Sequence, residues 1–358
     1  MDNQLSDKHI TFLALGALVG YGIMSLPKEI AEYVGTSGWI TVLMSMAIVL
    51  IIVYFLTGFI SSHKNMTIFD LSKKLLGTYA SFVIAFIYFS YFVIIISMNS
   101  RRYCDLIKLT ILPNTPYLVL MLGLYILLYY VITKGIFVVA GLSELYCIIG
   151  FIAIIIIYSI TLSMGDFLNL RPLIYTKNPK AYLSSLQVTL SPFLGFEVLY
   201  CLPLSQNRNK LFKSCSLVIA ISGFIYFFVY EACIAVIGID DIIHYNATLI
   251  TTLSSISVPY LDVFKRLDLL GIIVWSIWVL NSIIIWCYAC TTSLKFILKK
   301  ADNRYVVFFT LFLSLGISMV PKNVKAVMAS FRMIEYAAII TVIAIPLFLY
   351  LIMKVKKA

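Results

Sequence analysis

Long apolar runs separated by short polar segments form the pattern of this chain. A helix needs about 20 apolar residues to cross the hydrocarbon core of a bilayer, and runs of that kind recur with almost no charge inside them. A membrane barrel would instead show alternating segments of about 10 residues. The pattern predicts ten membrane-spanning helices, at 9–27, 36–61, 79–99, 115–133, 136–163, 183–203, 214–237, 269–297, 304–320 and 332–353.

A short amphipathic segment follows the second predicted span. Thr67 and Asp70 have the spacing of a helix capping box, in which each residue satisfies a free backbone N–H at the start of the helix. The apolar residues that share one helical face are Ile68, Phe69, Leu71, Leu75 and Leu76. We predict a structural helix that lies in the membrane interface.

Composition supports a membrane protein and excludes a water-soluble enzyme. Of the 358 residues, 62% are hydrophobic and 12% are charged, whereas soluble proteins have about 45–50% and 25%. The net charge is +11, but Lys and Arg lie between the apolar runs, so we expect no nucleic-acid binding. No His-rich set or Ser/His pair lies at membrane depth, and we expect no enzymatic activity, metal or cofactor. The CxxC spacing of Cys287 and Cys290 falls inside a predicted span, where packing is the favoured interpretation.

Basic residues indicate the orientation of the chain. If the N-terminus is cytoplasmic, 15 of the 27 Lys and Arg residues lie on the cytoplasmic side. Cytoplasmic loops of membrane proteins carry an excess of Lys and Arg. We therefore expect both termini to be cytoplasmic.

Glycine and proline interrupt two of the predicted spans. The first interrupted segment is 16–27, with Gly20, Gly22 and Pro27, and the second is 190–199, with Pro192 and Gly195. These spans occupy matching positions in two halves of five spans, which is the best sequence indication of a substrate site in a transporter built from inverted repeats. We predict one integral membrane domain, 1–358, with repeats at about 9–163 and 183–353.

The predicted breaks suggest a ligand that carries one positive and one negative charge. Unwound backbone in hydrocarbon leaves N–H and C=O groups unpaired, so it must face protein or a polar cavity. Free N–H groups at a helix N-terminus attract a carboxylate, and free carbonyls attract an ammonium group. An amino acid carries both. The alternative for the first motif is close helix packing, because Gly16 and Gly20 have the GxxxG spacing.

Acidic and hydroxyl side chains inside the spans are further candidates. Buried carboxylates in membranes are costly and often functional, and we predict a site-shaping role for Glu197 beside the second break. Two roles are open for Glu144, a place in a proton or ion pathway and a structural hydrogen bond to a neighbouring helix. The same two roles are open for Glu231. Thr291 and Thr292 could help to ligate a cation, or they could bond to carbonyls of their own helix.

The residues at the two breaks resemble those of the amino acid–polyamine–organocation transporter superfamily. More narrowly, the chain resembles the B subunit of bacterial spore germinant receptors, the endospore germination permease family. The stretches that carry the resemblance are 20–28, 169–173, 192–203 and 293–295.

The resemblance implies two inverted five-helix repeats, with the ligand held midway through the membrane among spans one, three, six and eight. Together with Glu197, the residues it places at the ligand are Gly20, Tyr21, Gly22, Tyr91, Leu194, Gly195, Ser282 and Tyr288. Some members of the superfamily use a lysine in span five in place of sodium. The stretch 135–163 contains no lysine, which argues against simple transfer of that mechanism.

The same resemblance implies a sensor in the inner membrane of the spore. Its ligand would be a small-molecule germinant, an amino acid above all, and its partners would be the A and C subunits of the receptor within the lipid membrane. The alternative function is an amino-acid permease coupled to H⁺ or Na⁺.

Overall fold

A computed structural model describes residues 5–174, 179–245, 247–256 and 267–357. Within these ranges the chain is helical throughout and contains no strand, as the apolar pattern predicts. The α-helices are α1 Asp7–Gly22, α2 Leu26–Val34, α3 Gly38–Ser61, α4 Ile68–Leu76, α5 Thr78–Thr110, α6 Tyr117–Thr133, α7 Ile136–Ser163, α8 Pro179–Leu190, α9 Arg208–Ile237, α10 Ile239–Ile242, α11 Thr248–Ser254, α12 Leu267–Ile297, α13 Asn303–Ser318, α14 Val324–Ala338 and α15 Ile345–Lys357.

Six stretches of helix in the described part are long and apolar enough to cross a membrane. They are α2 with α3, α5, α7, α9, α12, and α14 with α15. Two further apolar helices, α6 with 17 residues and α13 with 16, are shorter. This is the architecture of an integral membrane protein.

The first predicted span is interrupted, but not where the glycines stand. Gly20 and Gly22 belong to the last turn of α1, and the break is the turn that follows, residues 23–25. A Cβ on Gly20 would overlap the Ser282 hydroxyl, and a Cβ on Gly22 would lie 2.9 Å from Cγ of Pro192. The interruption predicted for this span is therefore confirmed, but it follows Gly20 and Gly22, which remain helical. The contacts at Gly20 also fit close helix packing, which was the alternative for Gly16 and Gly20.

The interruption of the sixth predicted span is confirmed and is longer. The helix α8 ends at Leu190, and two 3₁₀ segments follow it, Ser191–Phe193 and Phe196–Cys201. Gly195 lies between the two segments with a φ of +138°, a conformation that residues with a Cβ rarely adopt. The chain therefore crosses this part of the bundle without regular α-helix.

Helix α1 lies at the centre of the bundle. It packs against α7, α9, α12 and both 3₁₀ segments of the sixth span. Leu13, Ala14 and Val19, which point in three different directions around the helix, are at most 1% exposed. A helix that is apolar on all sides is buried on all sides, and this burial places the first break beside the second.

The last span contains a π-helical segment, Ile339–Ala344, between α14 and α15. Such turns displace backbone carbonyls from their usual partners. The hydroxyl of Tyr88 donates to the Thr341 carbonyl at 2.5 Å, and the hydroxyl of Tyr200 donates to the Val342 carbonyl at 3.1 Å. Two tyrosines therefore satisfy carbonyls of the irregular segment.

One end of the bundle, at which α1 begins, also holds α4 and the end of α15, and we call it the α1 end. The capping box predicted at Thr67 and Asp70 is confirmed, and α4 packs against α5 and α15. Lys210 forms an ion pair with Asp7 at 3.9 Å. The Lys210–Asp7 pair links the start of α1 to α9.

The crossing of α7 and α12 gives a test of packing with an internal control. A Cβ on Gly150 would lie 2.6 Å from Nε1 of the buried Trp278, whereas a Cβ on Gly141 of the same helix would meet nothing within 4 Å. Overpacking costs about 1–3 kcal/mol. Gly150→Ala should therefore lower the melting temperature of the purified protein in detergent.

The control is Gly141→Ala. It should leave that temperature unchanged or raise it, since Ala is the better helix former by up to about 1 kcal/mol. Equal melting temperatures for Gly150→Ala and the wild type would contradict the close α7–α12 contact.

Candidate functional site

Glu197 lies at the second break with its side chain fully buried. Its Oε1 accepts a hydrogen bond from the Tyr91 hydroxyl at 2.8 Å, and its Oε2 accepts one from the Gly195 N–H at 2.8 Å. The carboxylate therefore joins α5 to the irregular segment and satisfies a backbone donor that the break leaves free. This geometry fits the site-shaping role predicted from the sequence.

Gly195 lies directly against the backbone of α1. A Cβ at this position would lie 3.0 Å from the carbonyl carbon of Ala17 and 3.0 Å from Cδ1 of Leu18. The positive φ of Gly195 adds a second reason for glycine. Because Gly195 has no side chain, the second break lies closer to α1 than a residue with a Cβ would permit.

Tyr226 of α9 connects the two interrupted spans. Its hydroxyl lies 2.8 Å from the Pro192 carbonyl and 3.2 Å from the Leu18 carbonyl, so one hydrogen is shared between two backbone acceptors. The ring of Phe193 packs edge-on against it at 5.2 Å. Sequence reasoning missed this residue, although a tyrosine inside an apolar span needs a partner for its hydroxyl.

The opposite side of α1 is held by polar side chains of α7 and α12. The Ser282 hydroxyl lies 2.9 Å from the Gly16 carbonyl, and the Ser143 hydroxyl donates to the Phe12 carbonyl at 2.7 Å. Asn281 donates from Nδ2 to Ser143 at 3.2 Å. Hydrogen bonds of this kind hold helices together in membranes.

A small apolar cavity of about 30 Å³ lies beside the first break. Its lining includes Ile23 and Met24 of the break and the indoles of Trp275 and Trp278. Neither indole N–H has a hydrogen-bond partner within the described ranges. A water needs about 10–15 Å³ of such volume, so this cavity holds about two or three waters. It is too small for an amino acid.

The structure brings together some of the predicted ligand residues. Tyr91, Gly195 and Glu197 are in contact, and Ser282 packs against α1 at Gly20. Leu194 is half-buried in the second break. The backbone of Tyr21 belongs to α1, but its side chain lies outside the described part of the structure.

Other predicted residues lie elsewhere. Tyr288, Thr291 and Thr292 line a separate cavity at the α1 end of the bundle, with Asp70 and Lys295. The structure therefore does not join Tyr288 to the residues around Glu197. The difference arises because Tyr288 follows Ser282 by more than one helical turn, which carries it along α12 towards that end.

The candidates for an ion pathway have local partners. Thr291 and Thr292 donate to the Tyr288 carbonyl at 2.8 Å and 3.0 Å, so the alternative of bonding within their own helix is confirmed. Glu144 forms an ion pair with Lys8, which links α7 to the start of α1. Oε1 of Glu231 is buried and has no partner within the described ranges.

The cysteines are part of the packing. All seven are buried and free, and Sγ of Cys290 lies 3.7 Å from the Phe89 carbonyl. In the part of the chain that the structure describes, no three His, Cys, Asp or Glu residues form a possible metal site.

Solved structures show what this arrangement of helices resembles. A Na⁺-coupled sialic acid symporter, solved in a substrate-bound outward-open state, superposes with a TM-score of 0.68 over 94% of this chain and 77% of the symporter chain. The two sequences are 10% identical, so the likeness concerns the fold alone. It is the fold of a membrane transporter.

Known proteins are similar over nearly the whole sequence. Spore germination proteins A2 and B2 of Bacillus subtilis (strain 168) are each 24% identical to it, over 359 and 364 residues. The alignments cover 96% and 99% of this chain and 94% and 97% of the relatives. Spore germination protein GerQB of Bacillus cereus is 21% identical over 82% of this chain and 81% of its own length.

The sequence profile of the family described as "Spore germination protein" matches residues 4–327. These findings agree with the resemblance seen at the two breaks, and they indicate a permease-like protein rather than an enzyme. The chain belongs to the spore germination protein family and has the fold of a membrane transporter.

Proposed function

We propose that this chain is the nutrient-sensing membrane subunit of a spore germinant receptor. The observation that carries the proposal is the contact of two interrupted spans at Gly195, with the carboxylate of Glu197 held by Gly195 and Tyr91. A small germinant binds where the walls of these breaks separate. The wall residues are the end of α1 at Gly20, Tyr21 and Gly22, together with Tyr91, Leu194, Gly195, Glu197 and Ser282.

Helix ends give this site its preference for an amino acid. The break at residues 23–25 separates the C-terminal end of α1 from the N-terminal end of α2. Carbonyls at the first end favour an ammonium group, and the positive end of the α2 dipole favours a carboxylate. The unpaired indole donors of Trp275 and Trp278 lie beside the same break.

The helix contacts support an inverted repeat of five plus five spans within one domain, 1–358. In that arrangement α3 corresponds to α9, α5 to α12 and α6 to α13, and each of these pairs packs together. The two interrupted spans also correspond and also pack together. A short helix follows α3 in the first half, α4, just as α10 and α11 follow α9 in the second.

Sensing follows from a shift between closed and open arrangements. A germinant shifts such an equilibrium only by its difference in affinity for the two states. The cavity beside the first break is too small for an amino acid, which supports a closed resting arrangement. The A and C subunits of the receptor then detect the open arrangement in the spore inner membrane, with both termini of this chain cytoplasmic.

A second function, an amino-acid permease coupled to H⁺ or Na⁺, is favoured by one observation, the fold shared with a Na⁺-coupled symporter. Accumulation of a labelled amino acid in proteoliposomes that contain this chain alone would establish it in place of the sensor. The candidate coupling residues give it less support, because Glu144 is paired with Lys8, and Thr291 bonds within its own helix.

The site is tested by melting the purified full-length chain with amino acids, sugars and nucleosides, each with and without Na⁺. A ligand that binds only the folded protein raises the melting temperature. At a concentration of 100 times its Kd it adds about 2.7 kcal/mol to the free energy of unfolding. We expect one amino acid to do so. Gly195→Ala should abolish that shift, because a Cβ strains the positive φ and meets the α1 backbone at 3.0 Å.

The control for this experiment is Gly123→Ala, where a Cβ meets nothing within 4 Å. It should keep the full shift. A normal shift in Gly195→Ala would remove the second break from the binding site.

Glu197→Gln tests the charge of the buried carboxylate. The amide oxygen can still accept the Gly195 N–H, and the amide N–H₂ can donate to the Tyr91 oxygen, so the fold should persist. Charge-assisted hydrogen bonds are about twice as strong as neutral ones, and we expect the Kd for the amino acid to rise about tenfold, or about 1.4 kcal/mol. Isothermal titration measures this change.

Glu144→Gln is the matched control for Glu197→Gln, since that carboxylate pairs with Lys8 away from the breaks. It should leave the Kd within about twofold of the wild-type value. Unchanged affinity in Glu197→Gln would reduce Glu197 to a packing residue.

Tyr226→Phe tests the connection between the two breaks. The variant leaves the carbonyls of Leu18 and Pro192 without their shared donor. Hydrogen bonds between membrane helices contribute about 0.6 kcal/mol on average and up to about 1.7, so the melting temperature should fall measurably. Tyr182→Phe is the control, because the buried Tyr182 hydroxyl has no partner within the described ranges; a fall of equal size there would refute the connection.

A further inference from the structure

An open groove runs along the surface of the bundle between α3 and the last span. Its volume is about 780 Å³. The side chains that line it are mainly apolar, and several are widely exposed, among them Phe55 at 64%, Leu347 at 51% and Leu351 at 54%. Exposed apolar side chains of this kind face lipid in a membrane protein.

The length of the groove matches one leaflet of a bilayer. The lining runs from Ile52 of α3 to Ser62, which follows the end of this helix, a length of about 15 Å at the helical rise of 1.5 Å per residue. The hydrocarbon core of a bilayer is about 30 Å thick. The groove therefore has the length of an acyl chain in a single leaflet, the one at the α1 end of the bundle.

Two cations belong to the lining, Arg208 and Lys354, and no carboxylate does. The Arg208 guanidinium lies 4.2 Å from the centre of the Tyr54 ring and donates to the Tyr54 carbonyl at 3.3 Å. Nζ of Lys354 lies 5.3 Å from the centre of the Tyr350 ring. The aromatic rings thus hold both positive charges at the groove.

Arg208 has hydrogen-bonding capacity to spare. A guanidinium carries five N–H donors. Within the described ranges, Arg208 makes one hydrogen bond, to the Tyr54 carbonyl, so most of its donors are available. A cation beside lipid is costly unless a negative group or water compensates it. The complementary group is an anion attached to an apolar chain.

We propose that the groove between α3 and the last span binds an anionic phospholipid, with an acyl chain along the apolar lining and its phosphate at Arg208 and Lys354. Basic pockets between membrane helices bind anionic head groups in this manner. The lining also includes Tyr200 and Val342, whose hydrogen bond joins the segment after the second break to the π-helical segment. The bound lipid therefore packs against the two irregular parts of the bundle.

The test uses the purified full-length chain in nanodiscs that contain equal amounts of dioleoylphosphatidylglycerol and dioleoylphosphatidylcholine. Native mass spectrometry measures which lipid the protein retains. A basic residue near an anionic membrane surface contributes about a fivefold factor in binding, so two should give a preference of about 30-fold for phosphatidylglycerol.

Arg208→Gln combined with Lys354→Gln should reduce this preference to near unity. The matched control combines Lys134→Gln with Lys299→Gln, which removes two cations that also lie over aromatic rings, 5.1 Å from Tyr130 and 4.9 Å from Phe296. These cations do not line the groove, so the control should keep the preference.

Leu347→Trp gives an independent test if the double variant folds poorly. It leaves both cations in place and fills the groove, and the retention of phosphatidylglycerol should fall at least threefold. Inorganic phosphate, added to the wild-type protein in detergent, should leave the melting temperature unchanged, whereas phosphatidylglycerol should raise it.

Three outcomes would overturn the proposal. They are equal retention of both lipids by the wild type, an undiminished preference in the double variant, and stabilisation by free phosphate equal to that by the lipid. The first would show that the groove does not select the head group, the second would show that the preference arises from other residues, and the third would indicate a site for a free anion.

Discussion

Every backbone N–H and C=O that leaves a helix inside a membrane must find another partner, and the centre of this protein is organised by that constraint. Within the described residues, three segments depart from regular α-helix at membrane depth, the breaks of the first and sixth spans and the π-helical segment of the last. Side chains satisfy free backbone groups of the sixth and last spans. Tyr226 serves two carbonyls, Glu197 serves the Gly195 N–H, and Tyr88 and Tyr200 serve the π-helical segment.

These side chains connect the irregular segments to one another. Glu197 and Tyr200 belong to the same 3₁₀ segment, so a movement of this segment acts both on the contact with Tyr91 and on the last span. Tyr226 couples the segment before Gly195 to α1. A ligand that separates the two breaks must rearrange these bonds together, and packed cores respond to such demands by switching between discrete arrangements. That property suits a sensor as well as a transporter.

The apolar pattern determined which segments are helical and roughly where they lie, because membrane helices satisfy their own backbone and differ from loops in almost every residue. It also predicted a break in each half, since Gly and Pro remain visible within strongly apolar runs. The resemblance at the two breaks predicted the family, and the match over residues 4–327 bears it out. The buried carboxylate of Glu197 stood out in the sequence because so few charges occur inside the spans.

Only the tertiary structure decided what each residue at the breaks does. Gly20 and Gly22 packed against neighbours instead of unwinding, because a glycine permits either outcome and the facing helix selects one. Tyr288 lay away from Glu197, since position around and along α12 depends on how that helix packs. Tyr226 was recognised as a link only in the structure. The sequence specifies its hydroxyl donor, but the fold decides that the carbonyls of Leu18 and Pro192 lie within reach.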